Sequence, residues 1–235
     1  MDTQTRHTLK NDKFALAAAN SANWFGEHRA DILRWAIGAI VVLVVVIGGL
    51  AWLGMRSASA NTALGAAMDV YGTPLAVPGE PVEAGVYTSG VDRAKEANRE
   101  FVAVAHNFRG TPIATKARYF AGVTYAELGQ AGNAETELTA ASHAWNRDLA
   151  NLAKLALAGV YRQNSRDGEA IELYNQIAAK PSSTVTAAVA QLNLADVYAA
   201  EGKTDQARTL WAKIKDADKD GAAGSIADQK LSPKQ

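Results

Sequence analysis

The residues best placed to do chemistry lie near the C-terminus. Asp216, Asp218 and Asp220, followed by Gly221, supply carboxylates at positions 1, 3 and 5 and the glycine at position 6 of a calcium loop. Such a loop ends on a bidentate glutamate at position 12, where this chain has Ala227, with Asp228 one residue late. A calcium site and a solvated junction between helices are both compatible with that pattern, and the missing glutamate favours the junction. His106 and His143 stand far apart without a carboxylate or second histidine at ligand spacing, and nothing around His7 and His28 forms a partner pattern. The sequence contains no Walker loop, no Gly-x-Gly-x-x-Gly and no nucleophile elbow. With no cysteine, it has no disulfide, thiolate zinc site or catalytic thiol. Its 24 basic residues balance 24 acidic ones, and the pI near 6.9 leaves no electrostatic footprint for nucleic acid. The expectation is therefore a non-enzymatic protein without a cofactor.

The elements that position these residues begin with an apolar window. Residues 35–55 contain no charge, and 40–47 are an unbroken Ile/Val/Leu run. As a helix, this window spans roughly 31 Å, the thickness of a bilayer's hydrocarbon core. Arg34 and Arg56 bracket it, and Trp35 and Trp52 lie near its ends, where indoles favour the lipid–water interface. A single retained transmembrane helix is expected; the alternatives are a buried core helix and a signal peptide cleaved at Ala58-Ser59-Ala60. Arg6, Lys10, Lys13, Arg29 and Arg34 precede the window, whereas Arg56 stands alone after it until Arg93. The positive-inside rule thus puts segment 1–34 in the cytoplasm and domain 56–235 outside it. Within the first segment, Phe14, Ala17, Ala18 and Phe25 share one helical face, which fits an amphipathic surface helix as well as a plain polar tail.

Beyond the window the chain repeats. Tyr125, Tyr161 and Tyr198 recur at spacings of 36 and 37 residues. Each is followed at fixed offsets by a small residue (Ala134, Ala170, Ala207), a bulky one (Leu138, Tyr174, Trp211) and a third apolar one (Ala141, Ile177, Ile214). Turn residues intervene at Leu128-Gly129-Gln130, Gln163-Asn164-Ser165 and Glu201-Gly202-Lys203. The spacing predicts a helix–turn–helix unit repeated three times. Upstream, Ala97, Phe101 and Val104 repeat the second-helix pattern, and 57–71 can supply the displaced first helix, with Leu64, Ala67, Met68 and Tyr71 on one face. Between them, 72–90 carries Pro74, Pro78 and Pro81 and must be an extended loop. Pro112 and Pro181 fall at repeat junctions, and a short helix at Ala222–Leu231 would cap the stack. The fold class is all-α: one N-terminal transmembrane helix followed by an α-solenoid, with no strand predicted.

This pattern resembles the tetratricopeptide repeat, whose first helix carries Gly/Ala-x-x-Tyr and whose second carries Ala-x-x-x-Phe-x-x-Ala. Gly122, Ala158 and Ala195 stand at the small positions, while the usual early tryptophan is replaced by Arg118, Lys154 and Gln191. Tetratricopeptide arrays turn their first helices towards the ligand. That register predicts a partner-binding groove lined by Lys116, Tyr119, Val123 and Ala126, by Leu152, Leu155, Gly159 and Arg162, and by Val189, Leu192, Asp196 and Ala199. Its apolar centre and sparse charge suit extended, partly hydrophobic polypeptide.

The whole layout is similar to the ancillary subunit family of the SecYEG translocon, whose repeat domain is related to that of cell-division coordinators. The segment Leu9-Lys10-x-Asp12-Lys13-Phe14, the Glu27-His28-Arg29 triplet, the single span and the repeats carry this resemblance. It implies a bacterial inner-membrane protein with a periplasmic repeat domain. Its implied partners are the SecYEG translocon and periplasmic chaperones or exported polypeptides. A scaffold in envelope assembly or cell-division coordination is the alternative.

Overall fold

The computed structural model describes residues 29–77 and 85–232, and the readings on Phe14, Ala17, Ala18 and Phe25, on the Leu9 to Phe14 and Glu27-His28 motifs and on Pro78 and Pro81 lie outside them. Nine helices are present among the described residues: α1 (Arg29–Gly72), α2 (Gly90–Asn107), α3 (Pro112–Glu127), α4 (Ala131–Ser142), α5 (Arg147–Gln163), α6 (Asp167–Ala179), α7 (Ala187–Ala200), α8 (Thr204–Ala217) and α9 (Ala222–Leu231). The chain divides into two units, Met1–Met55 and Arg56–Gln235.

In the first unit, helix α1 carries Ile, Val, Leu and Trp side chains around its whole circumference. From Leu33 to Met55 every side chain described is exposed, including Trp35 at 80% and Val45 at 68%. A helix apolar on all sides has no face to present to water, so it needs a lipid or protein environment. Among the described residues this helix, over Leu33–Gly72, is the one long and apolar enough to cross a membrane.

In the second unit, successive helices pack as neighbours from α2 to α9. The first helix of each repeat starts at a side-chain cap. Thr111 Oγ1 accepts from the Ala114 amide (3.1 Å), Asn146 Oδ1 from Leu149 (3.0 Å) and Thr186 Oγ1 from Val189 (3.3 Å). Pro112 sits in the first turn of α3, where its missing N–H costs nothing. The repeated tyrosine places the turn that follows. The carbonyls of Tyr125, Tyr161 and Tyr198 accept from the amides of Gln130, Arg166 and Lys203, five residues on, at 2.8–2.9 Å. That reversal needs a left-handed residue, supplied by Gly129 (φ 71°), Ser165 (φ 57°) and Gly202 (φ 76°).

Small residues then let the helices meet. A Cβ on Gly122 of α3 would lie 2.5 Å from Leu138 Cγ of α4, and the equivalent Ala158 and Ala195 are fully buried. Each bulky second-helix residue anchors a separate layer of core. Leu138 packs with Ala134, Leu157 and Val160; Tyr174 with Ala158, Ala170 and Leu194; Trp211 with Ala195, Ala207 and Ile214. Helix α9 closes the last layer with Ala223 and Ala227. Upstream, Ala60 and Ala67 on the final turns of α1 are fully buried against Val104–Ala105 and against Ala97 and Phe101 of α2. The first-helix partner expected over 57–71 is thus the C-terminal part of α1. Of the link after it, the described residues 73–77 and 85–89 lie outside any helix, and an isolated parallel bridge pairs Leu75 with Tyr87.

Candidate functional site

The predicted groove residues occupy α3, α5 and α7. Lys116 is exposed on α3, and Tyr119 and Val123 are half-buried there against the Leu138 layer. Leu152, Leu155 and Val189 lie over a layer formed by Ile177, Val185 and Ala190. Leu192 packs onto the Trp211 layer, and Asp196 accepts from Lys230 Nζ of α9 (2.9 Å). The apolar members of the set therefore cover core as well as present surface, and Asp196 is engaged by the terminal helix.

Three of the predicted positions converge. Leu155, Gly159 and Arg162 of α5 line a cleft of about 510 Å3 together with Gln163, Asn193 and Ala200, and with Asp167 and Tyr174 of α6. The cleft follows from the repeat: α5 and α7 are first helices of consecutive copies, and Gly159 places no side chain between them. One wall is the aliphatic Leu155. Arg162, Asp167 and Asn193 supply a cation, an anion and an amide, one of whose N–H groups already donates to the Val189 carbonyl (2.9 Å). Burial pushes the Tyr174 phenol up from its ordinary value, with the charge of Arg162 opposing the shift. An aliphatic wall with amide, cationic and anionic groups offers the kinds of contact a polypeptide can make. The register did not single out Asn193 or Tyr174. Asn193 lies one position past Leu192, on the flank of the predicted stripe, and Tyr174 was legible only as a packing residue.

A polar cluster ties α4 to α5 and α6 of the next repeat. The Tyr161 hydroxyl donates to Glu135 Oε1 (3.1 Å), Arg166 donates to Glu135 Oε2 (2.6 Å) and to Glu169 (2.8 Å), and its guanidinium lies 4.2 Å from the Tyr161 ring centre. The Arg166 hydrogen bond holds the Glu135 carboxyl below the usual carboxylate range. Elsewhere, Tyr71 donates to Glu127; burial first and then that carboxylate push its phenol up to about 12. A larger cleft of about 710 Å3 lies along α2, lined among others by Tyr87, Asp92, Arg99 and Tyr125.

The aspartates of the calcium pattern are used differently. Asp218 Oδ2 accepts from the amides of Ala223 (3.1 Å) and Gly224 (3.2 Å), so it satisfies the N-terminus of α9. No group of three or more possible ligands comes together among the described residues, and Asp216, Asp218 and Asp220 do not converge. This is the helix junction that the register suggested. His106 and His143 are both exposed, at the C-terminal ends of α2 and α4.

A helix–turn–helix unit with small, bulky and left-handed positions in fixed order, stacked in layers, defines a helical-repeat protein of the kind that binds other proteins. Residues 23–232 match the tetratricopeptide repeat-like domain family, and the chain belongs to that family. No curated protein and no solved structure matches it. Domains of this kind commonly mediate protein–protein binding.

Proposed function

We propose that this chain is a membrane-anchored, protein-binding adaptor without enzymatic activity, which holds extended polypeptide or a partner's tail in the cleft between α5 and α7. The observation that carries the reading is the convergence of Leu155, Gly159, Arg162 and Asn193 on one open cleft at the junction of two repeats. An anchored cleft acts by raising the local concentration of its partner beside the membrane, with no bond made or broken. The finer assignment rests on the resemblance of the layout to the ancillary SecYEG subunits. On that reading the N-terminus is cytoplasmic, the repeat unit periplasmic, and the partners are the translocon, periplasmic chaperones or exported polypeptides. The uneven distribution of Lys and Arg around the window supports the orientation.

The test is site-specific photocrosslinking in intact cells from Leu155 and Arg162, with Gly132 on the exposed side of α4 as control. The adaptor reading expects crosslinks from the first two positions to translocon subunits, folding factors or exported chains, and none of these from the third. Capture of fixed division or envelope-assembly proteins instead would turn the reading towards a scaffold. No crosslink from the cleft at all would remove its support.

A further inference from the structure

We infer that one edge of the repeat unit, carrying Arg56, Arg109, Trp145 and Arg147, rests on an anionic phospholipid surface. The inference relies on residues 35–55 being a membrane span. Arg56 directly follows the charge-free window, and its guanidinium donates to the carbonyls of Asn107 (3.3 Å) and Arg109 (3.4 Å). The end of α2 and the start of α3 therefore lie within hydrogen-bonding reach of the residue at which the chain leaves the apolar window. The next junction lies on that same edge: Gly110, Thr111, Pro112 and Thr115 share an apolar cleft of about 380 Å3 with Ala144, Trp145, Asn146 and Leu149.

Trp145 is fully exposed, although an indole of this size is ordinarily at least half covered in a folded domain. Arg147 follows it two residues on and Arg109 precedes Gly110 of the same cleft; both are exposed, and neither has a carboxylate partner among the described residues. The one acidic residue in these two junctions, Asp148, is taken up by Ser183 and Thr184. The basic excess does not continue along the stack, since the last junction carries Asp216, Asp218 and Asp220 against Lys215 and Lys219. An exposed amphipathic indole and exposed guanidinium groups on adjoining junctions, one of which is bound by the first residue after an apolar span, match the chemistry of phospholipid headgroups: the ring sits at the interface and the cations meet phosphate.

The absence of cysteine makes a single label specific. Full-length Ala144→Cys and Gln163→Cys, the latter at the opposite end of α5, carry a fluorophore and are reconstituted into vesicles of equimolar phosphatidylglycerol and phosphatidylcholine containing a shallow nitroxide-labelled lipid. Quenching at position 144 should exceed that at 163 by on the order of twofold, and should fall to the control level with Arg109→Glu plus Arg147→Glu or in pure phosphatidylcholine. Co-flotation with the vesicles is read in the same samples. Loss of co-flotation overturns the span and this contact with it. Co-flotation with equal quenching at both sites, or with quenching indifferent to phosphatidylglycerol, overturns the contact alone. Shielding of the 144 label by a bound protein instead of lipid does so as well.

Discussion

At the residue scale, the left-handed turn position separates the three copies most cleanly. Gly129 and Gly202 adopt positive φ without a Cβ clash, whereas Ser165 holds φ 57° against it. Ser165→Gly should therefore stabilise the unit by roughly 0.5–1 kcal/mol, the relief of left-handed strain less the added chain entropy. A denaturation midpoint no higher than that of the parent would sink the argument. Two helical glycines make a sharper pair. Gly122→Ala drives a Cβ into Leu138 and should cost about 1–3 kcal/mol, while Gly159→Ala meets nothing within 4 Å and should gain up to about 1 kcal/mol of helix propensity. Urea unfolding of both variants gives the comparison, and equal shifts would contradict it. The sequence showed that Gly122 sits at a small-residue position. It showed neither the depth of contact nor the strain at Ser165, because both depend on how two helices close upon each other.

The helices themselves were largely legible, since the Tyr, Ala and bulky offsets repeat whatever layer they serve. Helix α9 was predicted over the same residues that it occupies, Ala222–Leu231. What the register could not show is how junctions are held, because those bonds join residues with no periodic relation. Asp148 in the first turn of α5 is the clearest case. Its Oδ1 accepts from the Thr184 amide (3.0 Å), Ser183 Oγ (2.8 Å) and Thr184 Oγ1 (3.0 Å), pinning the link that precedes α7. These bonds, the backbone one foremost, lower the Asp148 carboxyl to about 2 from its ordinary 3.8. A depressed carboxylate contributes stability above its unfolded value and loses it as pH falls through the folded one. The contribution is therefore full above about pH 4 and disappears towards pH 2. Asp148→Asn should lower the thermal midpoint at pH 6 and flatten its fall between those limits. Parallel curves for parent and variant over that range would show that the link is held by other contacts. The lining of the α5–α7 cleft was legible in the same partial way. Helical register found Leu155, Gly159 and Arg162, whereas Asn193 and Tyr174 reach the cleft from a flanking position and from a packing position.

For the molecule as a whole, the decisive question is whether the apolar part of α1 stays with the repeats. Composition alone left cleavage at Ala58-Ser59-Ala60 open, since small residues two apart satisfy a signal peptidase. In the repeat unit those residues are helical, and Ala60 is fully buried against Val104, Ala105, Ile113 and Ala117. Cutting there would uncover the first core layer, and the released Arg56 would no longer donate to Asn107 and Arg109. The mature protein should accordingly keep an N-terminal epitope, migrate at full length and resist extraction by alkaline carbonate. Val44→Lys together with Val45→Lys places two charges at the middle of the apolar run. At about 2.5–3.5 kcal/mol each, they should shift the protein into the soluble fraction. The repeat unit of that double variant should still show the parent's helical signal, because neither valine belongs to its core layers. A shortened chain that begins near Asn61 and is soluble without the lysines would overturn retention, and would make the residues before it a targeting segment.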